Sequence, residues 1–191
     1  MPTTTKNHAR LLTLLTERSF RYSKKPIYQL TSGKKTSYYI DCKKVALDAE
    51  GATLIGKEIF RHIKDLPATG VGGMTMGADP IATAVSLVSF LEGNPIPAFL
   101  VRKEPKGHGS NQQVEGPLTA RSRLVVVEDV VTTAGSTLRT LDVLEKEGHT
   151  VLCVIALVDR LEGGRDRITR RGIAFESLFT MDDFVKSLSC P

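Results

Sequence analysis

The sequence predicts an α/β fold in which a mostly parallel central sheet is flanked by helices on both faces. Two runs rich in valine and isoleucine, residues 124–127 and 151–158, have the composition of fully buried strands. Between them, residues 136–147 carry leucines at helical spacing and stop before Gly148, a residue that is common just after a helix. Strand, helix and strand in this order form the repeating unit of a parallel sheet.

Three elements are predicted at the start of the chain. Residues 7–17 place four leucines at helical spacing, which indicates an amphipathic helix docked on the domain. Residues 28–41 predict two strands around a Ser-Gly turn, because the tyrosines and isoleucine near their end favour β-structure. Residues 48–64 predict a second helix, with apolar side chains on one face.

Strands and helices then alternate up to the two buried runs. Residues 69–73 predict a short strand and loop, and residues 79–91 a helix with Pro80 near its start. A strand is predicted over residues 96–101, followed by a long polar loop that reaches to about residue 121. We therefore expect a single domain of 191 residues with its core around the sheet.

Composition places the chain among ordinary globular proteins, with 41% hydrophobic and 25% charged residues. The longest apolar run, residues 151–158, is far too short to span a bilayer, and no apolar signal core follows Met1. The three cysteines form no Cys-x-x-Cys pair and are odd in number. These observations predict a cytoplasmic protein without a membrane association, a disulfide framework or a cysteine metal site.

The formal net charge of +5 is compatible with two kinds of partner. Nucleic-acid binding is disfavoured, because there is no lysine-rich tail and aromatic residues make up only 6% of the chain. Basic residues instead collect in short loops, a distribution that suits small polyanionic substrates. A solvated face explains part of the charge without any function, for example at Arg170 and Arg171.

The most informative segment is residues 128–136, which joins the first buried strand to the helix that follows. Small and hydroxyl-bearing residues at a helix start offer backbone N–H groups and a positive dipole end to an anion. The two acids before them, Glu128 and Asp129, would lie at the carboxyl end of the strand, where open α/β sheets bind ligands. The segment has neither the lysine of a Walker A motif nor a G-x-G-x-x-G pattern. The simpler alternative is an ordinary turn with a Thr or Ser N-cap.

This segment resembles the phosphoribosyl-pyrophosphate (PRPP) motif of type I phosphoribosyltransferases, in which apolar residues lead into paired acids and a Thr/Gly-rich loop. The resemblance implies that the loop binds the 5′-phosphate and that the acids lie near the ribose hydroxyls. One departure is Ala134, which stands where many members have glycine and which does not favour a positive φ. The PRPP-binding residues implied here are Glu128, Asp129, Val130, Val131, Thr132, Thr133, Ala134, Gly135 and Ser136.

A second segment, residues 102–110, carries three fixed cations and an imidazole within seven positions. A solvated surface loop has the same composition, but the order of charges closely resembles the mobile catalytic loop of the orotate phosphoribosyltransferases. That resemblance implies catalytic and PRPP-binding roles for four residues: Arg102, Lys103, Lys106 and His108.

Two further matches extend the resemblance from about residue 20 to about residue 165. Residues 30–41 are similar to the N-terminal signature of the family, and Asp159-Arg160 follows the last buried strand as in its orotate enzymes. The resemblance implies a small hood from about residues 1–45 and a PRPP-binding core from about 46–165. It also implies that Thr132 and Arg160 bind orotate, although a salt bridge to Asp159 or Glu162 is the competing interpretation of Arg160.

The implied reaction transfers ribose 5-phosphate from PRPP to orotate, giving orotidine 5′-phosphate and pyrophosphate in pyrimidine biosynthesis. Mg²⁺ is the implied cofactor, held mainly by substrate oxygens, so no protein metal ligands are predicted. A homodimer with shared active sites is also implied. Relative to enteric-type members, Thr31 and the loop of residues 71–79 lack lysines, which leaves less positive charge for pyrophosphate.

Two other functions are compatible with a PRPP motif. A phosphoribosyltransferase for another base, such as a purine, would typically have an aromatic stacking partner near the last core strand, where this chain has Asp159, Arg160 and Leu161. A non-catalytic PRPP-sensing regulator would need a recognition module, and no helix-turn-helix segment is evident. The cationic loop favours catalysis over sensing, because a sensor has no leaving group to stabilise.

Overall fold

The computed structural model describes residues 6–29, 33, 35–104 and 113–188 of the chain. The N-terminal elements are α1 (Lys6–Leu14), a π-helical turn (Leu15–Ser19), β1 (Phe20–Tyr22), β2 (Tyr28–Gln29), β3 (Lys35–Thr36) and β4 (Tyr38–Ile40). The strands form two small antiparallel pairs, β1 with β4 and β2 with β3. Strands β2 and β3 lie on either side of the predicted Ser-Gly turn, and β1 precedes the segment in which strands are predicted.

Two helices connect the N-terminal strands to the central sheet. The first, α2 (Lys43–Ala46), is a single short turn, and the second, α3 (Ala49–Ile63), spans most of the length predicted for it. Asp48 caps α3, since its carboxylate accepts hydrogen bonds from the backbone N–H groups of Glu50 and Gly51 at 3.1 and 3.0 Å.

The remaining elements are β5 (Gly70–Met74), α4 (Asp79–Leu91), β6 (Ala98–Val101), β7 (Val114–Glu115), β8 (Arg123–Val131), α5 (Gly135–Lys146), β9 (Thr150–Asp159), α6 (Gly164–Thr169), β10 (Ala174–Thr180) and α7 (Met181–Ser187). Strands and helices alternate in this part of the chain except that β6, β7 and β8 follow one another without a helix. The central sheet has six strands in the order β10-β9-β8-β5-β6-β7 and is parallel except for the pair β6–β7, which confirms the predicted α/β class.

The burial of strand β8 explains why its sequence is a continuous apolar run and not an alternation of apolar and polar residues. Val125 and Val127 belong to an apolar cluster that contains side chains of α1, α3 and α4. Leu124 and Val126 belong to a second cluster, which contains side chains of α5 and α6. Both faces of the strand are therefore buried under helices, as expected for a central strand of a parallel sheet.

Several elements differ from the prediction. Strand β8 continues to Val131, so both acids lie within the strand and not after it. The predicted polar loop after residue 101 contains the short strand β7, and β5 includes residues 71–73. Residues after 165, beyond the expected core, add β10 to the edge of the sheet and α7 after it. In the part of the chain that the structure describes, no helix is both long and apolar enough to cross a bilayer.

Candidate active site

The candidate site lies where β5 and β8 end. These strands are parallel neighbours, so their carboxyl ends open at the same edge of the sheet. A cavity of about 280 Å³ is found there. It brings together the acid pair, a serine of the phosphate-loop segment, a lysine of the cationic loop, and a lysine of α2, and its lining includes Lys43, Gly77, Lys103, Glu128, Asp129 and Ser136.

Glu128 lines this cavity and is only 6% exposed. Its Oε2 atom accepts hydrogen bonds from Ser136 Oγ at 3.0 Å and Thr137 Oγ1 at 3.2 Å. Burial and the neighbouring Asp129 charge raise the pKa of Glu128 to about 8, although the two hydroxyl donors favour its ionised form. In the absence of substrate, Glu128 therefore carries a proton at neutral pH.

We expect Glu128→Gln to stabilise the free protein increasingly as the pH rises. The folded-state pKa of about 8 lies above the ordinary 4.5, so the stability associated with the protonated acid is lost as the pH rises between these values. Glutamine cannot ionise and escapes this loss. The difference in thermal unfolding midpoint between variant and wild type should widen by several degrees from pH 5 to 8, since about 1 kcal/mol corresponds to about 2–4 °C. A difference that stays constant across this range would contradict the assignment.

Of the two acids, Glu128 is the one that contacts the start of α5, and Asp129 lies on the side away from it. Its Oδ1 atom accepts a hydrogen bond from the N–H of Val130 at 2.8 Å, and its Oδ2 atom lies 3.8 Å from Lys43 Nζ. The loop after β5 passes so close that a Cβ at Gly77 would come within 2.7 Å of Asp129 Oδ1. Asp129 thus faces the loop after β5, which also contains the cis peptide bond between Thr75 and Met76.

The segment from Thr132 to Ser136 forms a tight turn from β8 into α5. Two of its carbonyl groups accept hydrogen bonds from residues of α6. Thr132 O accepts one from Gly164 N at 3.0 Å, and Thr133 O accepts one from Arg167. Ala134 has a φ of 58°, in the left-handed region, which costs a non-glycine residue about 1–2 kcal/mol. The alanine therefore adopts the conformation that glycine would adopt more easily, and α5 begins directly after it.

Two of the four residues predicted in the cationic loop lie in the described part of the chain. Arg102 follows β6 and forms a salt bridge to Glu115 of β7, with Nε and Oε1 separated by 3.0 Å. Lys103 is exposed and lines the cavity with the acid pair. Lys106 and His108, which the sequence places in the same loop, lie outside the described residues.

Arg160 lies directly after β9, with its side chain only 5% exposed. Its Nη2 atom is 3.1 Å from Glu162 Oε1 and 3.5 Å from Thr36 Oγ1 of the N-terminal strands. Asp159 pairs instead with Arg165, at 3.2 Å. The sequence allows a salt bridge from Arg160 to Asp159 or to Glu162, and the structure contains the one to Glu162.

One residue that lines the cavity received no role from the sequence. In the sequence, Lys43 is adjacent to Lys44, and nothing in this local pattern indicates that Lys43 reaches the end of β8. Its proximity to Asp129 depends on tertiary packing, in which α2 contacts α3 and α4. The only sequence signal is its position two residues after Asp41, at the end of the segment that resembles the N-terminal family signature.

Comparisons with known proteins agree with this architecture. Residues 57–189 match the family described as the phosphoribosyl transferase domain. Orotate phosphoribosyltransferase of Aquifex aeolicus is 44% identical over 92% of this chain and 96% of its own, and that of Sorangium cellulosum is 45% identical over 92% of each chain.

A solved structure extends the comparison to the fold. The Mycobacterium tuberculosis orotate phosphoribosyltransferase in complex with PRPP superposes with a TM-score of 0.77 at 31% identity, covering 93% of this chain and 98% of that one. Matches of this extent and identity, together with the paired acids and phosphate loop at the end of β8, establish the family. The chain is a member of the orotate phosphoribosyltransferases, within the phosphoribosyl transferase domain family.

Proposed function

We propose that this chain transfers the ribose 5-phosphate group of PRPP to a ring nitrogen of orotate, releasing pyrophosphate and forming orotidine 5′-phosphate for UMP biosynthesis. The observation that carries the proposal is the cavity at the end of β8, where Lys103, Glu128, Asp129 and Ser136 meet. Relatives of 44–45% identity that span nearly the whole chain are named for this activity. We assign it to one phosphoribosyltransferase domain comprising residues 1–191.

The start of α5 is suited to the 5′-phosphate of PRPP. A helix N-terminus directs unpaired backbone N–H groups and a positive dipole end toward an anion. Thr132, Thr133, Ala134, Gly135 and Ser136 would surround that phosphate with N–H groups and hydroxyls. The external hydrogen bonds to the carbonyls of Thr132 and Thr133 hold this turn in place before substrate binds.

The acid pair and the cationic loop would stabilise the two opposite charges that develop as the bond to the anomeric carbon breaks. As the anomeric C–O bond breaks, positive charge develops on the ribosyl ring and negative charge on pyrophosphate. Asp129 and Glu128 would accept hydrogen bonds from the ribose hydroxyls, and the negative charge of Asp129 would favour the cationic ring. Lys103, together with Arg102 and the loop residues Lys106 and His108, would stabilise the leaving group more in the transition state than in the ground state.

Mg²⁺ is the cofactor we propose, and the donor set of the cavity fits it. Mg²⁺ in such sites is held by one or two carboxylates together with substrate phosphates and water. Asp129 presents a partly exposed carboxylate to the cavity. The described residues contain no group of three or more His, Cys, Asp or Glu side chains arranged to hold a metal, so the ion would depend on substrate oxygens. When bound, it would neutralise part of the pyrophosphate charge.

Orotate would bind between the N-terminal strands and the end of β9. Arg160 supports this placement, because a nearly buried guanidinium there would pair with the orotate carboxylate. Thr132, whose carbonyl is held by Gly164, would contact the pyrimidine ring from the phosphate loop.

A homodimer is the assembly we propose, with α4 at the interface. An apolar groove of about 710 Å³ runs between α2, α3 and α4, and its rim carries large apolar side chains that are more than half exposed. Lys43 and Met76 line both this groove and the catalytic cavity. A second copy covering the groove would therefore lie at the mouth of the active site, as a shared site requires. The rim side chains are Leu47, Met76, Leu87 and Leu91.

We expect the double variant Leu87→Glu, Leu91→Glu to convert the dimer to monomers. Two charges on an apolar surface that must be desolvated would cost several kcal/mol of association free energy. Sedimentation equilibrium should show the mass halved, with loss of most activity at low protein concentration. Leu188→Glu, an exposed apolar residue after α7, is the matched control and should remain dimeric. A wild-type protein that sediments as a monomer would refute the interface.

Cytoplasmic localisation is part of the proposal. Cys42 and Cys153 are buried free thiols, which is compatible with a reducing compartment.

The test of the activity is the loss of orotate ultraviolet absorbance when PRPP and Mg²⁺ are added to purified protein. We expect a loss that requires PRPP and stops when a chelator removes the metal. If PRPP binds but orotate is not consumed, the other nucleobases become the substrates to test. Failure of every base, with PRPP binding intact, would favour a sensor.

A further inference from the structure

Lys43 is the residue that the structure adds to the site. It begins α2 immediately after the N-terminal strands, and its Nζ atom lies 2.9 Å from Asp41 Oδ1 and 3.8 Å from Asp129 Oδ2. Resting on the function proposed above, we propose that Lys43 is a substrate-binding residue that contacts the pyrophosphate group of PRPP.

The position of Lys43 across the cavity identifies the part of the substrate it would meet. Glu128 is hydrogen bonded to Ser136 and therefore marks the side of the acid pair nearest the phosphate loop. Asp129 faces Gly77 and Lys43, on the other side. PRPP carries its 5′-phosphate and its pyrophosphate at opposite ends of the ribose. With the 5′-phosphate at the start of α5, the pyrophosphate extends past Asp129 toward Lys43.

The charge balance on that side of the cavity requires a cation. Pyrophosphate is a polyanion, and it would approach the Asp129 carboxylate. The loop that lines this side, residues 74–77, contains no basic residue. Among the described residues that line the cavity, the cations are Lys43 and Lys103. Lys43 thus supplies positive charge where the loop after β5 provides none.

Lys43 is also free to make the contact. Its side chain is 43% exposed, and an ammonium group has three donors, of which the close contact with Asp41 uses one. The hydrogen bond from Lys43 to Asp41 raises the pKa of the lysine, so it remains charged at neutral pH. The competing explanation is that Lys43 only ties α2 to Asp41 and has no role toward substrate.

The experiment separates these explanations by comparing Lys43→Met with Lys43→Arg, Asp41→Asn and Lys44→Met. Lys44 is the exposed neighbour on the same helix, and asparagine at position 41 keeps the oxygen that accepts the backbone N–H of Lys43 while removing the charge. The affinity for PRPP is measured by calorimetry, and the affinity for pyrophosphate by product inhibition. The KM for orotate reports any effect on the base.

We expect Lys43→Met to weaken both PRPP binding and pyrophosphate inhibition by about tenfold, with the orotate KM changed less than twofold. Lys43→Arg should restore most of the loss, and Asp41→Asn and Lys44→Met should bind PRPP within twofold of wild type. Unchanged PRPP and pyrophosphate binding in Lys43→Met would overturn the proposal. A loss of PRPP affinity in Asp41→Asn equal to that in Lys43→Met would overturn it as well.

The calorimetric measurement needs no turnover, so it tests Lys43 even if the base is not orotate. Absence of orotate consumption by the wild type would count against the proposed function alone. Unfolding midpoints of all four variants identify any loss that comes from misfolding, and the charge-retaining arginine variant then decides the proposal.

Discussion

Lys103→Ala should lower kcat by about 10²–10³-fold while leaving orotate affinity within a few-fold of wild type, the loss typical of removing one preorganised transition-state donor. Lys103 is exposed and lines the same cavity as Glu128 and Asp129. Negative charge accumulates on pyrophosphate only as the anomeric bond breaks. A cation directed at that group therefore contributes mainly to the transition state and little to the binding of orotate.

The measurement is a single-turnover experiment on the Lys103→Ala variant, with orotate affinity determined separately by equilibrium binding. Glu104→Ala changes the next exposed residue of the same segment and is the matched control, expected to retain kcat within a few-fold. Lys103→Arg keeps the charge but alters its geometry and should fall between wild type and alanine. Near-normal turnover in Lys103→Ala would remove this lysine from the mechanism.

The sequence predicts the centre of this molecule well because the information there is local. The valine runs of β8 and β9 are buried on both faces, so each identifies itself as a strand without reference to the rest of the chain. The turn from β8 into α5 is equally local, since the phosphate loop, its helix and the preceding acids are contiguous. The orotate phosphoribosyltransferase family, predicted from these residues and the cationic loop, is confirmed by the relatives.

Features that depend on distant contacts could not be predicted in the same way. Lys43 and Asp129 are 86 residues apart in the chain, and only the tertiary fold brings Lys43 Nζ to 3.8 Å from Asp129 Oδ2. Strand β10 mixes buried residues, among them Leu178 and Phe179, with exposed and half-buried ones, which is a weaker signal than a continuous apolar run. The raised pKa of Glu128 likewise comes from tertiary burial and from Asp129, which a one-dimensional pattern does not contain.

Arg160→Gln should raise the orotate KM by about 100-fold with little change in the KM for PRPP. A bidentate, charge-assisted pair with a carboxylate contributes up to about 3 kcal/mol, which corresponds to that factor. Glu162 Oε1 already occupies the edge of the guanidinium formed by Nε and Nη2. A guanidinium has five N–H donors, and a second carboxylate would bind the edge formed by Nη1 and Nη2, in place of the 3.5 Å contact of Nη2 with Thr36 Oγ1.

Uracil, which lacks the orotate carboxylate, separates this role from a purely structural one. If Arg160 binds that carboxylate, Arg160→Gln should reduce the preference for orotate over uracil by nearly the same factor as it raises the orotate KM. Glu162→Gln removes the partner of the observed salt bridge and should leave the preference intact or increase it, because the guanidinium is released. Arg165→Gln, which removes the arginine paired with Asp159, is the matched control and should leave the preference unchanged. The opposite outcome is an equal increase of the orotate KM in Arg160→Gln and Glu162→Gln, without a change in the preference for orotate over uracil. That result would mean that Arg160 serves only to pair with Glu162 and that another cation binds the orotate carboxylate.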